Sequence, residues 1–409
     1  MSVATSATRG AAEAVTEART RPSHDAEIAI VAAALEQALG ARDLSIFYRA
    51  FRATRLPFLC GEYRDKAELL FPACFDIVHR LGGLSPAVAL AVENHFYVTS
   101  AIATFPGAAD PALERRRRQL VDSIVAGRLL VANTNSKVHS SKLGELGTTA
   151  RRDGGGLRVN GMASYTSLAT EADLLVLLTE LEGEGFAFIA IPSLRDNSSV
   201  EIGPWLFPSA MLDSDTRRIT FHDVRLPADA LIATAQSKIA NTLVPFEMTW
   251  HQLLIPTLYL GAAARAIEEV RRFLVATEGR DGQPLAKLDG MIVDVGRLAL
   301  EYQSARCLVE KAADSLIAVR ELPRDADKVE QAVQLASAAK YTGTRVAESI
   351  VTAARRIVGA RAFTGDHILE RLSYEVMFAS LGPEVSAVIE RRYGKLVLDG
   401  KIFLHPQLS

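Results

Sequence analysis

The sequence predicts an α+β chain: helices, then strands, then long helices. Two patterns predict it. Apolar residues recur at helix spacing in both outer thirds, and the middle third breaks into short β-branched and aromatic runs bounded by Gly, Asn, Asp and Pro. The 409 residues suffice for two or three domains of roughly 150 residues each. With 49% apolar and 23% charged residues, global disorder is excluded.

Residues 1–24 read as a flexible tail. The opening MSVATSATRGAAEAVTEARTRP lacks the apolar core of a secretory signal, and Glu13 and Glu17 argue against a transit peptide. Residues 25–123 form a helical zone, carried by AEIAIVAAALEQAL and PAVALAVENHFYVTSAIATF and punctuated by Gly40, Gly61, the Gly82–Gly83 pair, Pro57, Pro72, Pro86 and Pro106. Residues 124–235 hold the strand candidates LRVNGMASYTS, DLLVLLTEL, GFAFIAIPS, SVEIGP and RRITFHDVRLP, expected to form an antiparallel sheet or barrel. Gly154–Gly156 and Asn160–Gly161 carry turn chemistry. No Lys follows the glycines at phosphate-loop spacing, so they read as a hairpin turn. Residues 236–409 return to long, Ala-rich helices, expected to pack as an antiparallel bundle. Leu288, Ile292, Val295, Ala299 and Tyr302 share one helix face, as do Val329, Val333, Ala336 and Lys340.

Several function classes drop out on composition. A formal net charge of −2 argues against a strongly basic nucleic-acid binder. Cys60, Cys74 and Cys307 are too scattered for a zinc knuckle or disulfide framework, which favours a reducing, cytoplasmic setting. His79, His95 and His139 offer no metal-ligand spacing. No apolar run is long enough to cross a membrane. Arg115–Arg118 reads as a solvated helix face, with attraction for CoA or carrier-protein phosphates as its functional alternative. Cys307, Trp205 and Trp250 read as packing residues.

Longer strings resemble the acyl-CoA dehydrogenase superfamily. VAGRLLVANTNSKVHSSKLGELGTTARRDGGGLRVNGMASYTSLATEADLLVLL is similar to that family's helix, strand and flavin-loop segment, and RRITFHDVRLPADALI to its strand ending in a Val-x-Val-Pro corner. LGAAARAIEEVRRFL, GQPLAKLDGMIVDVGRLAL, LASAAKYTGTRVAESIVTAARRIVGA and AFTGDHILERLSYEV sit where the family has like strings. The resemblance implies an N-terminal helical domain, a central antiparallel β-barrel and a C-terminal four-helix bundle. It also implies FAD, with FMN as the alternative, between barrel and bundle. Such an enzyme oxidises an acyl thioester on CoA or a carrier protein as a homodimer or homotetramer.

The resemblance also assigns residues. The family's Thr-Glu-Pro-x-x-Gly-Ser flavin loop becomes Thr134 through Ser140, keeping only Thr134 and Ser140. Its Trp-Ile-Thr strand becomes Tyr165, Thr166 and Ser167, which keeps an aromatic ring and a hydroxyl. The Arg-x-x-Phe-Gly string of a neighbouring subunit becomes Glu278 to Gly282, with Arg280 close to the usual arginine. The Gln-x-x-Gly-Gly string becomes Arg356 to Ala360, leaving Arg356 and Gly359 as cofactor contacts. The usual catalytic glutamate is missing: Leu381 or Pro383 falls there, with Glu384 adjacent. In a minority branch the base lies on the first bundle helix, where this chain has His251, with Glu247 one turn earlier to orient it. Glu375 matches a structural position.

Three functions follow. One is α,β-dehydrogenation of an acyl thioester, which needs a base within reach of the α-carbon. The second is a monooxygenase of the same fold, using reduced flavin and oxygen and needing no glutamate base. The third is a non-catalytic subunit in a hetero-oligomer with an active homologue. No nucleic-acid or membrane partner is expected.

Overall fold

A computed structural model describes residues 23–106, 110–134, 146–236, 242–321, 326–364, 367–382 and 384–401. Residues 1–22 of the expected tail, Ser140, His139 and Pro383 lie outside the described residues; His24, expected at the end of the tail, is instead buried with its Nε2 3.0 Å from the Tyr63 hydroxyl.

The first zone builds five main helices: α1 (Asp25–Ala41), α2 (Ser45–Ala53), α3 (Ala67–Gly82), α4 (Pro86–Thr104) and α5 (Pro111–Gly127), with a short helical turn at Leu59–Glu62. α4 is buried on nearly every face. Its start is specified locally: Pro86 sits at the first helical position, and the Ser85 hydroxyl accepts from Val88 N. Glu375, 290 residues further on, accepts from Ser85 Oγ and Ala87 N, both at 2.8 Å. The orphan amides of the α4 N-terminus thereby tie the end of the chain to its beginning. α5 is capped by Asp110, which accepts from Ala112 N and Leu113 N.

The middle zone gives β1 (Val131–Thr134), β2 (Thr148–Asp153), β3 (Gly156–Thr166), β4 (Leu174–Leu181), β5 (Gly185–Pro192), β6 (Val200–Trp205), β7 (Arg217–Leu226) and β8 (Leu231–Thr234). They form one sheet in the order β6-β7-β3-β2-β4-β5-β8, with β1 also on β4. The expected antiparallel barrel is therefore corrected. Among the described residues the sheet is open, and β1–β4 and β2–β4 pair in parallel. β1, β2 and β8 are short and carry no clear alternation, which hid them in the sequence.

The glycine run turns the chain as expected. Gly154 and Gly155 have φ of 56° and 88° between the paired residues Asp153 and Gly156. Asn160–Gly161 is no turn: it lies inside β3 at a register shift, with Gly161 at φ 107°. A Cβ there would meet Gly147 O at 2.3 Å.

The last zone holds α6 (Leu243–Ala276), α7 (Asp289–Glu321), α8 (Ala326–Val358), α9 (Ile368–Val376) and α10 (Ser386–Leu398). Three long helices of 34, 33 and 33 residues pack on one another, and the short α9 and α10 both lie against α8. α3 crosses α6 at Gly82 and Gly261, where a Cβ on either would lie 2.0 Å from a backbone oxygen of the other helix. Leu288 and Ile292 are exposed, so the expected α7 face is buried only towards Tyr302. Lys340 is buried within its apolar face. Its amine donates to Glu384 O at 2.9 Å, and desolvation lowers its pKa to about 8.

Candidate active site

The site begins with a problem of burial. α4 carries Glu93, Asn94 and His95 in an otherwise apolar run, and a polar group taken from water must be paired. His95 solves it completely. Its Nε2 donates to Pro57 O at 2.7 Å, and its Nδ1 accepts from Val131 N at 3.0 Å. Both nitrogens are committed, and burial holds its pKa down at about 4, so the ring is neutral. Asn94 Oδ1 accepts from Asn133 N at 2.8 Å. β1 is thus bonded to β4 along one edge and to α4 side chains along the other, which fixes Asn133 and Thr134.

Asn133 relays the contact across to α6. Its Oδ1 accepts from Tyr97 at 2.6 Å and its Nδ2 donates to Glu247 Oε1 at 2.8 Å. Glu247 also borders a small apolar cavity lined by Val98, Ile102, Val176, Phe188 and Leu243. Burial and the carboxylates of Glu247 and Glu93 push the Tyr97 phenol well above its ordinary pKa, so it stays a donor.

His251 lies on the same wall, but its carboxylate partner is not the expected Glu247. Glu93 Oε1 sits 3.0 Å from His251 Nδ1, and the imidazole packs 4.7 Å from the Tyr97 ring. Glu247 instead holds Asn133. The reason is geometric: residues four apart on a helix lie along one face, whereas α4 approaches that face from outside. Glu93 is fully buried and its pKa is raised, chiefly by desolvation and against the pull of His251.

Glu384 is withdrawn from base chemistry. Its carboxylate pairs with Arg392 at 2.6 Å, while its carbonyl receives Lys340. Leu381 is 60% exposed and apolar. Glu375 is the α4 cap described above, and burial raises its pKa to about 8.

The proposed flavin contacts separate into two groups. Thr134 Oγ1 donates to Ser164 O at 3.2 Å, which sets the end of β1 beside the end of β3. Tyr165 stands at φ 62° with its ring 43% exposed, stacked on Phe207 at 5.9 Å; Phe207 in turn meets Phe378 edge-on at 4.9 Å. Thr166 Oγ1 is buried with no hydrogen-bond partner among the described residues. The open Tyr165 ring offers a stacking face of the kind a flavin ring uses, and Thr166, one residue on, carries an orphaned hydroxyl. Ser167 does not offer its hydroxyl, which is bonded to Thr216 Oγ1 at 2.9 Å.

Arg280, Arg356 and Gly359, expected as contacts from a neighbouring subunit, lie apart from Thr134 and Tyr165 within one chain. Arg280 follows the C-terminus of α6, roughly 40 Å along the helix from His251 at 1.5 Å per residue. Arg361 stacks on Phe273 near the same end, so Arg356 and Gly359, just before it, lie there too. Within one chain they do not join Thr134 and Tyr165.

Other surface expectations change. Arg117 is buried, bonding Glu114, Asp65 and two carbonyls of α4, and Arg116 donates to Leu231 O, so the arginine run is largely structural. Cys307 is exposed rather than packed. Trp205 is also exposed, under the Arg217 guanidinium at 4.3 Å, whereas Trp250 is core. Among the described residues no His, Cys, Asp and Glu cluster could hold a metal, and no helix is long and apolar enough to cross a membrane.

Comparison with known proteins fits this arrangement. The model of the acyl-CoA dehydrogenase C-terminal domain matches residues 247–382, from Glu247 to the turn after α9. Cyclohexane-1-carbonyl-CoA dehydrogenase of Syntrophus aciditrophicus is 24% identical over 298 residues, covering 70% of this chain and 72% of that protein. Among solved structures, FMN-bound TdsC, a dibenzothiophene monooxygenase from Paenibacillus sp. A11-2, superposes with a TM-score of 0.77 at 18% identity, over 92% of this chain and 98% of that one. Butyryl-CoA dehydrogenase from Megasphaera elsdenii does so with a TM-score of 0.66 at 16% identity, over 80% and 82%. These similarities together support membership of the acyl-CoA dehydrogenase superfamily.

Glu93, Tyr97, Asn133 and Phe207 were missed in the sequence. One signal existed: a Glu inside AVALAVENHFYV is a charge in a run too apolar to face water, and it demanded a partner.

Proposed function

We propose that this protein is a flavin-dependent monooxygenase built on the acyl-CoA dehydrogenase fold. It would use reduced flavin and dioxygen, put one oxygen atom into an organic substrate held against α4 and α6, and release the other as water. What supports the reading is that no free carboxylate is described where the resemblance puts the dehydrogenase base: Leu381 is apolar and exposed, and the adjacent Glu384 is paired with Arg392. When bound, the flavin supplies the electrons and activates oxygen. This chain would hold its ring with Thr134, Tyr165 and Thr166. Asn133 and Tyr97 would present polar groups to the substrate, while the apolar side chains around them exclude water.

The flavin of this reading is FMN. FAD would need the arginines expected near its pyrophosphate, at the far end of the bundle, to come from a second copy in a homodimer or homotetramer. The similarity to FMN-bound TdsC supports the same choice.

A second reading, dehydrogenation of an acyl thioester on CoA or a carrier protein with His251 as base, is supported by the curated dehydrogenase at 24% identity.

The test is to purify the protein, add FMN or FAD, and follow the visible spectrum. A flavin reductase with NADH and ¹⁸O₂ is then supplied with a panel of phenols, amines and aromatic heterocycles. Label in a product supports the monooxygenase. Anaerobic bleaching by an acyl-CoA supports the dehydrogenase instead. A chain that refuses both flavins points to the non-catalytic subunit.

A further inference from the structure

Glu93 and His251 form a buried pair that the monooxygenase reading leaves without a task. Glu93 comes from α4 and His251 from α6, so the pair bridges the two walls of the site. Oε1 of Glu93 takes up one imidazole nitrogen at 3.0 Å, and the Tyr97 ring limits rotation of the imidazole. Two atoms are left over. Oε2 of Glu93 is buried without a hydrogen-bond partner among the described residues, an expensive arrangement that packing alone does not require. Nε2 of His251 has no hydrogen-bond partner among the described residues, and the side chain keeps 10% of its surface open. Of the other polar groups nearby, Tyr97 donates to Asn133 and Asn133 donates to Glu247.

We propose that Glu93 and His251 are a proton-accepting dyad. Glu93 is the positioning residue: its carboxylate keeps the proton of the imidazole on Nδ1 and leaves the Nε2 lone pair bare. His251 Nε2 then takes a proton from the reacting O–H or N–H group of the substrate. That bond breaks heterolytically, its electron pair stays on the substrate atom, and the imidazolium formed has the Glu93 carboxylate as its counter-ion. The step consumes no oxidant. The substrate class is thereby narrowed to molecules whose reacting centre carries a dissociable proton, such as phenols and amines, with a bare thioether or hydrocarbon excluded. The physical logic is that of any carboxylate-oriented imidazole: the hydrogen bond at one nitrogen decides the state of the other.

The inference rests on the reading that substrate meets α4 and α6, and its first test needs neither substrate nor flavin. The full chain is labelled with ¹⁵N-histidine, and His251 is assigned by comparison with H251N. The expected ¹⁵N shifts near neutral pH are those of a protonated Nδ1 and a bare Nε2. In E93Q, whose amide can donate or accept, this single tautomer becomes a mixture. A wild-type His251 protonated at Nε2, or a tautomer that E93Q leaves untouched, overturns the dyad. The visible spectrum of the same samples reports flavin binding separately, so a failed dyad and a failed flavin reading are distinguishable. In the oxygenation assay, H251Q is expected to lose about 10²–10⁴-fold in kcat with flavin content retained. Undiminished turnover by H251Q overturns the proposal as well.

Discussion

Two histidines on facing helices show what separates structure from chemistry here. His95 in α4 has both ring nitrogens bonded, one to Pro57 O and one to Val131 N. His251 in α6 has one nitrogen on Glu93 and the other without a hydrogen bond. Both are buried, and composition or hydropathy would treat them alike. The difference is satisfaction: a ring bonded at both nitrogens can only hold the chain in place, whereas a ring bonded at one is oriented and still has chemistry to offer.

The largest expected effect falls on the structural member. His95→Leu leaves a buried amide and a buried carbonyl without partners and should cost about 2–5 kcal/mol. Urea denaturation measures it, and a loss below about 1 kcal/mol would break the contrast. The double replacement Glu93→Leu with His251→Leu should behave oppositely. Exchanging both members of a buried pair for apolar residues is neutral or stabilising by up to about 4 kcal/mol, while oxygenation is lost. A double variant that unfolds like H95L would make the pair structural too.

The pH dependence of stability sharpens the same distinction. His79 and His95 have folded pKa values lowered to about 4 by burial. The unfolded chain binds more protons between pH 6.5 and 4, so stability falls as pH drops through that window. Glu375 works the other way. Its folded pKa is raised to about 8 from 4.5, so the native state holds a proton that the unfolded state has lost, and stability falls as pH rises from about 4.5 to 8. Glu375→Gln keeps an acceptor for Ser85 and Ala87 and should flatten that limb, raising stability at pH 8 by a few kcal/mol, on the order set by about 1.4 kcal/mol per pH unit. Thermal melts at pH 5, 6.5 and 8 check both limbs, and an E375Q melt that still declines towards pH 8 would place the cause elsewhere.

The smallest effect is expected at Arg280. Arg280→Ala should change stability by no more than about 0.5 kcal/mol and leave FMN occupancy intact. A clear loss of bound flavin would instead show that a second copy brings this arginine to the cofactor.

The sequence by itself determined the class and order of elements. Helix periodicity at both ends, β-branched runs between them and the Gly154–Gly155 turn are local signals, set by backbone sterics and side-chain spacing, and they act wherever the chain goes. The resemblance of its strings to the acyl-CoA dehydrogenases also put His251 on the first bundle helix, where α6 carries it. Only the tertiary structure decided the rest. Short strands such as β1 exist because α4 side chains occupy one of their edges. Asn160–Gly161 became a bulge because Gly147 O approaches it. The partner of His251 came from a residue 158 positions away rather than from its own helix. The physical reason is burial: which polar groups must be satisfied, and by whom, is settled only when α4, β1 and α6 close on one another and exclude water.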